Sequence, residues 1–133
     1  MCGICGIINY NQGQEVKESL INNMCLKMVH RGPDEGGIFV KNNSSPSVGL
    51  GHRRLKIIDL SESAHQPMSN EDRTIWVVFN GEIYNFQELR KILEDRGHKF
   101  TSHSDTEAII HLYEEDGIDC VKRLRGMFVF AIW

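Results

Sequence analysis

The residue with the most obvious chemical potential stands at the start of the sequence. Cys2 follows Met1, and because cysteine is small, methionine aminopeptidase should remove Met1 and expose the α-amine of Cys2. An α-amine has a reference pKa of about 8, so near neutral pH it can act as a base toward the thiol of its own residue. Position alone allows either a nucleophile that carries its own base or an ordinary small hydrophobe at a strand edge.

Cys2 and Cys5 also form a C-x-x-C pair, a spacing used by zinc sites and by thioredoxin-like redox sites. A structural zinc site needs a second close pair of ligands, but the other two cysteines are isolated and the H-x(3–5)-H spacing of His98 and His103 is a weak signal. A redox pair normally sits at a strand-to-helix turn, whereas this pair opens a predicted strand. A zinc or redox module remains an alternative, and no metal site is predicted.

Asn80 and Gly81 follow the most convincing predicted strand and offer a side-chain amide beside a small residue's N–H. Neutral donors of this kind suit an oxyanion hole, where negative charge develops on the carbonyl oxygen of a hydrolysed amide. A plain hairpin turn is the simpler interpretation of an isolated Asn-Gly pair. The pattern therefore leaves both open.

Charged residues further along the chain could bind the two ends of an amino acid. Strand alternation sends Arg53 and Arg54 to opposite faces, so one guanidinium can face a pocket and bind a carboxylate while the other is solvated. Glu82 and Asp105 could together hold an ammonium group. Asp105 is equally well explained by its favourable place in the first turn of a helix.

Apolar periodicity predicts the elements that must position these residues. The predicted strands cover residues 3–9, 38–40, 48–58, 74–79 and 127–133, with a turn at 42–46 and a polar loop at 61–72. The predicted helices cover residues 15–29, 85–97, a stretch opening at 104 and a short segment at 117–124. Asn85 with Glu88, and Ser104 with Glu107, have the spacing of capping boxes. The abrupt end on an apolar strand suggests a domain cut from something longer.

Composition predicts one globular domain of 133 residues. The formal charge of −3 offers no basic excess for a phosphate backbone, so nucleic acid is not expected as a partner. No apolar run reaches the roughly 20 residues that span a bilayer, and no signal peptide is evident, so we expect no membrane association and a cytoplasmic location. In that compartment the four cysteines should not form disulfides.

Five ordered motifs together resemble the class II glutamine amidotransferases, most nearly the glutaminase domain of glutamine-dependent asparagine synthetases. They are residues 1–4 (MCGI), 30–34 (HRGPD), 51–59 (GHRRLKIID), 79–85 (FNGEIYN) and 104–107 (SDTE). The resemblance implies an α+β, four-layer αββα N-terminal-nucleophile hydrolase fold with two antiparallel sheets. Residues 1–133 would then be a C-terminally truncated, partial glutamine amidotransferase type 2 domain without its synthetase domain.

The resemblance also implies roles, position by position. One group supplies the nucleophile with its α-amine base and the oxyanion hole: Cys2, Asn80 and Gly81. The other group binds glutamine through an arginine for the α-carboxylate, two acids for the α-ammonium and two backbone positions lining the site: Arg54, Glu82, Asp105, Leu55 and Ile57. In the second motif we expect His30, Arg31 and Asp34 to be structural.

The implied reaction is hydrolysis of L-glutamine to glutamate and ammonia through a Cys2 thioester. It needs no cofactor in this domain, whereas ATP and Mg²⁺ belong to a C-terminal ATP-pyrophosphatase synthetase domain that would use the ammonia for asparagine biosynthesis. A homodimer is compatible with the resemblance. The alternatives are an amidotransferase with another acceptor, in a surface-polysaccharide or antibiotic pathway, and a non-catalytic remnant that binds partners through the edge formed by residues 127–133.

Overall fold

The computed structural model describes residues 2–11, 13–56 and 64–133. The strands are β1 (Gly3–Asn9), β2 (Glu35–Lys41), β3 (Ser47–Arg54), β4 (Met68–Ser69), β5 (Trp76–Ile83) and β6 (Gly126–Ile132). The helices are α1 (Glu18–Lys27), α2 (Phe86–Asp95) and α3 (Asp105–Asp116), followed by a 3-10 helix at Gly117–Arg123. None of the helices in the described part of the chain has the length and apolar character needed to cross a bilayer.

The strands form two antiparallel sheets, with strand order β1-β3-β2 in the first and β4-β5-β6 in the second. Strand β3 is central to the first sheet, where Gly3 lies opposite Arg53 and Glu35 lies opposite Arg54. Strand β5 is central to the second sheet, where Gly81 lies opposite Phe128. The two central strands carry most of the residues that the sequence singled out.

Alternation along the strands builds four layers, because successive side chains point to opposite faces of a sheet. Between the sheets, Val48 and Leu50 of β3 pack against Val78 of β5. Helix α1 covers the outer face of the first sheet, and α2 and α3 cover the outer face of the second. The outer-face residues of β5 that contact these two helices are Val77, Phe79 and Ile83. The predicted αββα arrangement with two antiparallel sheets is confirmed.

Strand β5 differs from the prediction that a strand at 74–79 ends in an Asn80-Gly81 turn. The strand continues through both residues to Ile83, because β6 supplies Val129 opposite Asn80 and Phe128 opposite Gly81. Strand pairing with a distant segment overrides the local turn preference of an Asn-Gly pair. The hairpin-turn interpretation that the Asn-Gly pair left open is therefore wrong at this position.

Two other segments also differ from the sequence pattern. Strand β3 ends at Arg54, short of the predicted end at residue 58, and the stretch from 57 to 63 lies outside the described residues. The predicted polar loop at 61–72 contains the two-residue strand β4, which pairs with β5. A two-residue strand is too short to show an apolar pattern in the sequence, so it could not be predicted without its partner β5.

The two capping boxes do not form as predicted. Ser104 Oγ accepts a hydrogen bond from Thr106 N at 3.2 Å, but the Glu107 carboxylate turns to the preceding loop and accepts from Thr101 N at 2.7 Å and Ser102 N at 2.8 Å. Helix α3 therefore begins with the Ser104 cap but without the second hydrogen bond of a capping box, in which Glu107 would accept from Ser104 N. A buried carboxylate with several N–H and O–H donors is better satisfied there than by a single donor at the cap.

Helix α2 begins without a side-chain cap. The side chain of Asn85 instead reaches the segment before β6, where it donates to Arg123 O at 3.0 Å and accepts from Arg125 N at 2.9 Å. Asn85 thus joins the end of β5 to the start of β6 and helps to hold the pairing that carries the Asn80-Gly81 segment.

Candidate active site

The thiol of Cys2 lies against the backbone that follows β3. Leu55 N donates a hydrogen bond to Cys2 Sγ at 3.4 Å, and the sulfur lies 3.8 Å from Leu55 O. Arg31 Nε donates to Cys2 O at 3.1 Å, which fixes the backbone just before β1. An N–H directed at sulfur stabilises negative charge there, as a nucleophile requires.

Residues 30–34, the HRGPD motif, are hydrogen-bonded to the end of β3 and to the backbone that follows it. Arg53 donates from Nε to Gly32 O at 2.9 Å and from Nη2 to Pro33 O at 3.2 Å. Lys56 N donates to Asp34 Oδ2 at 2.9 Å. The motif therefore holds both ends of the segment from which Leu55 meets Cys2, in agreement with the structural role expected for Arg31 and Asp34.

Arg54 points to the opposite face from Arg53 and is buried. Its Nη1 donates to Glu35 Oε2 at 3.2 Å, across the β2–β3 pairing. Glu35 also contacts His65 Nδ1 and lies 3.7 Å from Lys56 Nζ. Burial alone would raise the pKa of Glu35, but its hydrogen bonds to His65 and Arg54 lower the pKa below the usual range, so Glu35 stays charged and orients the guanidinium.

Two buried side chains hold the backbone immediately before Asn80. Gln66, just before the short strand β4, accepts from Phe79 N at 2.7 Å through Oε1, and His52 Nε2 donates to Phe79 O at 3.1 Å. Gln66 Nε2 donates in turn to Thr106 Oγ1 at 3.2 Å. Burial lowers the pKa of His52 to about 4, so the ring is neutral at physiological pH. Sequence reasoning gave neither His52 nor Gln66 a role.

Gly81 occupies a place in β5 that only glycine fits. Its φ is 156°, and a Cβ there would lie 2.3 Å from Met127 O and 2.5 Å from Phe128 Cα on the paired strand. The requirement is therefore steric and set by β6. Because Gln66 and His52 fix Phe79 and the pairing with β6 fixes Gly81, the backbone of Asn80 between them is held in an extended conformation.

Gly81→Ala should destabilise the protein by about 2–5 kcal/mol, because the new Cβ meets the backbone of β6 at a positive φ. Gly97→Ala is the matched control, since Gly97 also has a positive φ of 100° but nothing within 4 Å of a Cβ. The control should cost only the backbone strain, about 1–2 kcal/mol. Urea unfolding measures both; equal losses would show that the β5–β6 contact does not constrain Gly81.

Asp105 links the end of β5 to the first turn of α3. Its buried Oδ2 accepts from Ile83 N at 2.9 Å. Burial raises the pKa of Asp105 against the lowering effect of this and other backbone N–H groups, and the nearby Glu82 carboxylate raises it further. A cation between the two carboxylates would relieve this repulsion, so the pair suits an ammonium group.

The predicted site residues thus fall into two connected groups. Cys2, Arg54 and Leu55 lie at the end of the first sheet, while residues 80–82 and Asp105 lie at the end of β5 and the start of α3. The strands that carry the two groups are in contact, because β1 and β3 both pack against β5 and His52 bonds across the interface to the residue before Asn80. Ile57 lies outside the described residues.

The C-x-x-C pair does not act as a unit. Residues three apart in a strand point to opposite faces, and Cys5 Sγ lies under α1 at 3.8 Å from Cys25 Sγ, whereas Cys2 faces Leu55. Burial and the neighbouring Cys25 raise the pKa of Cys5 to about 12, so its thiol stays protonated at neutral pH. A zinc or redox site made by Cys2 and Cys5 is contradicted by this geometry.

Comparison with known proteins shows the family to which this chain is similar. Residues 1–133 match the family described as "Glutamine amidotransferase domain". The chain is 45% identical over its whole length to "Asparagine synthetase [glutamine-hydrolyzing] 1" of Bacillus subtilis and 45% identical to a putative asparagine synthetase of Methanocaldococcus jannaschii. It spans 21% and 28% of the length of these two relatives.

Solved structures share the fold at low sequence identity. The glutamine phosphoribosylpyrophosphate amidotransferase of B. subtilis, in complex with ADP and GMP, superposes with a TM-score of 0.73 at 22% identity and covers 97% of this chain and 35% of its own. A structure described as the allosteric regulatory enzyme of purine biosynthesis has a TM-score of 0.74 at 21% identity. At these identities the likeness concerns the fold.

Proposed function

The chain belongs to the glutamine amidotransferase domain family, and we propose that it hydrolyses the side-chain amide of L-glutamine with Cys2 as the nucleophile. The observation that carries the proposal is the position of the Cys2 thiol, which receives the Leu55 N–H directly after the buried Arg54. The Cys2 thiol is thereby held against the residue that follows Arg54, so that an amino acid bound by the Arg54 guanidinium can present its side-chain amide to the sulfur.

The proposed binding mode uses both charged ends of glutamine. Arg54, oriented by Glu35, binds the α-carboxylate, and Glu82 with Asp105 binds the α-ammonium group. Leu55 lines the site through its backbone, and we propose the same role for Ile57. Holding these groups presents the side-chain amide to the sulfur.

The reaction then proceeds in two stages. The α-amine of Cys2 takes the thiol proton, the sulfur attacks the amide carbon, and the Asn80 side-chain amide with the Gly81 N–H binds the resulting oxyanion. The tetrahedral species collapses, the C–N bond breaks, and ammonia leaves with the proton from the α-ammonium. Water then attacks the γ-glutamyl thioester through the same base and releases glutamate and the free thiol.

A direct assay tests the proposal. The purified protein, with Met1 removed, is incubated with L-glutamine in the absence of ATP, and glutamate and ammonia are measured together. We expect equal amounts of the two products. A preparation whose N-terminal residue is Cys2 and which forms neither product would overturn the proposal.

Asn80→Ala should reduce kcat for glutamine by about 10²- to 10³-fold, because it removes one donor to the oxyanion. KM should change little, since this donor acts mainly in the transition state. Asn23→Ala, an exposed position on α1, is the matched control and should retain the parent kcat. Steady-state kinetics measure both; an Asn80→Ala enzyme with the parent kcat would remove Asn80 from the oxyanion hole.

Arg54→Lys should reduce kcat/KM for glutamine by about 10- to 100-fold, mainly through KM, because a lysine keeps the charge but loses the planar pair of donors. The readout specific to carboxylate binding is a second substrate, 4-aminobutanamide, which lacks the α-carboxylate and should be cleaved equally by parent and variant. Arg96→Lys, at an exposed position directly after α2, is the control and should cleave both substrates as the parent does. Equal losses on both substrates would show that Arg54 is only structural.

The relatives' names support a further part of the proposal. They are glutamine-hydrolysing asparagine synthetases, and we propose that ammonia made at Cys2 passes to a C-terminal ATP-dependent synthetase domain in the cytoplasm. In this proposal ATP and Mg²⁺ serve that domain, and glutamine hydrolysis itself uses no cofactor. Formation of asparagine from aspartate, glutamine and ATP by the complete protein tests the acceptor; ammonia release without asparagine would point to another one.

A further inference from the structure

Three donor atoms at the far end of α3 lie at the spacing of ligands around one metal ion. His98 Nδ1, in the turn after α2, is 3.1 Å from His111 Nδ1 on α3. Glu114 Oε2, on the same helix, is 3.0 Å from His111 Nδ1 and 3.5 Å from His98 Nδ1. All three atoms thus converge on one point from two elements.

These separations match tetrahedral coordination. Zinc bonds of about 2.0–2.1 Å to nitrogen and oxygen place neighbouring ligand atoms about 3.3 Å apart. Two imidazoles and one carboxylate also form a donor set that zinc and similar transition metals use, with a fourth position left for water. Because Glu114 is exposed while His111 is buried, solvent can reach the position from one side.

The groups around these atoms orient them as the outer partners of metal ligands do. His98 Nε2 lies 3.1 Å from Glu115 Oε1, and because a carboxylate only accepts, Nε2 is the donor in this contact, while Nδ1 is the ring nitrogen directed at His111 and Glu114. Asn70 Nδ2 donates to Glu114 Oε1 at 3.0 Å, which leaves Oε2 facing the two histidines. In each case a hydrogen bond to the second polar atom of the side chain, His98 Nε2 or Glu114 Oε1, fixes the orientation of the proposed ligand atom.

His111 carries an observation of its own. Its Nε2 is buried and has no hydrogen-bond partner among residues 2–11, 13–56 and 64–133, with the closest carboxylate oxygen, Glu107 Oε1, at 3.8 Å. A metal on Nδ1 would leave the ring proton on Nε2, where it faces the Glu107 carboxylate as the outer partner of a histidine ligand does.

We propose that His98, His111 and Glu114 bind one divalent transition-metal ion of the zinc type. The ion would fasten the turn after α2 to α3, six residues or about 9 Å along the helix from Asp105. It is therefore a site separate from Cys2. In the sequence, His98 has the spacing of a weak H-x(3–5)-H pair with His103. In the structure, the histidine beside His98 is His111 of α3.

The test is a calorimetric titration of the protein with Zn²⁺, and with Co²⁺ for its spectrum. All samples carry Cys2→Ala, because an N-terminal cysteine chelates metals through its amine and thiolate. We expect one ion per chain that His98→Gln removes, and a tetrahedral Co²⁺ spectrum without the thiolate charge-transfer band. A thiolate band, or no ion that depends on His98, would overturn the proposal.

Two milder variants keep the test valid if His98→Gln does not fold. Glu115→Gln changes no ligand but weakens the support of His98, and should lower the affinity about 10- to 100-fold. Glu114→Gln should lower it by at least as much. His30→Gln, which removes an exposed histidine elsewhere, should bind the ion as the parent does. Unchanged affinity in both Glu variants, or an equal loss in His30→Gln, would contradict the site.

Discussion

Cys2→Ala is expected to reduce glutamine hydrolysis by about 10⁴-fold or more, because it removes the atom that forms the thioester. Binding should survive, since the Arg54–Glu35 pair and the Glu82–Asp105 pair do not depend on the sulfur. Glutamine affinity measured by calorimetry should therefore stay within a few-fold of the parent while turnover disappears. A variant that lost binding together with turnover would instead indicate a collapsed site.

Cys5→Ala is the matched control for this substitution. Both cysteines lie at the start of the first sheet, but Cys5 packs under α1 against Cys25 and does not face Leu55. Its removal should leave kcat nearly unchanged. Comparable losses in Cys2→Ala and Cys5→Ala would contradict the assignment of the nucleophile to Cys2.

Blocking the removal of Met1 is expected to lower kcat about 10²- to 10⁴-fold, the usual contribution of a general base and acid. An amide at the nitrogen of Cys2 has no lone pair available for protonation, so it can neither take the thiol proton nor return it to ammonia. The effect requires no change in any side chain of the site.

The design of this experiment uses one preparation as its own control. The chain is expressed with an N-terminal extension that a protease removes to leave Cys2 as the first residue, and ammonia release is measured before and after cleavage. Activity should appear in proportion to the fraction of chains that begin at Cys2, as read by intact mass. Full activity before cleavage would show that the α-amine is not the base.

Apolar periodicity in the sequence predicted most of the strands and helices, whereas the four layers were expected from the resemblance to the amidotransferases. Strand β1 has the predicted bounds, and α2 and α3 lie where the helical stripes place them. The predictions failed where a distant partner decides the outcome. An Asn-Gly pair prefers a turn locally, but β6 holds Asn80 and Gly81 in a strand, and the caps of Asn85 and Glu107 are redirected to loops that only the folded chain brings near.

The same distinction applies to the site. Position alone leaves the role of Cys2 open, and alternation alone does not decide which of Arg53 and Arg54 faces the site, so their roles were assigned by the five ordered motifs. The structure places Cys2 against Leu55 and buries Arg54. Glu35, His52 and Gln66 could not be identified, because each acts through strand pairing or a contact between sheets. Residues that react carry a signal in sequence, whereas residues that hold them become visible only in the packed structure.

Covalent capture of Cys2 is the most direct test of the nucleophile. The protein, with Met1 removed, is treated with a glutamine analogue that carries an electrophile in place of the side-chain amide, and its peptides are mapped by mass spectrometry. The label should lie on the N-terminal peptide at Cys2, and excess L-glutamine should slow its attachment. A label on Cys5, Cys25 or Cys120, or an unlabelled chain whose first residue is Cys2, would contradict the proposed chemistry.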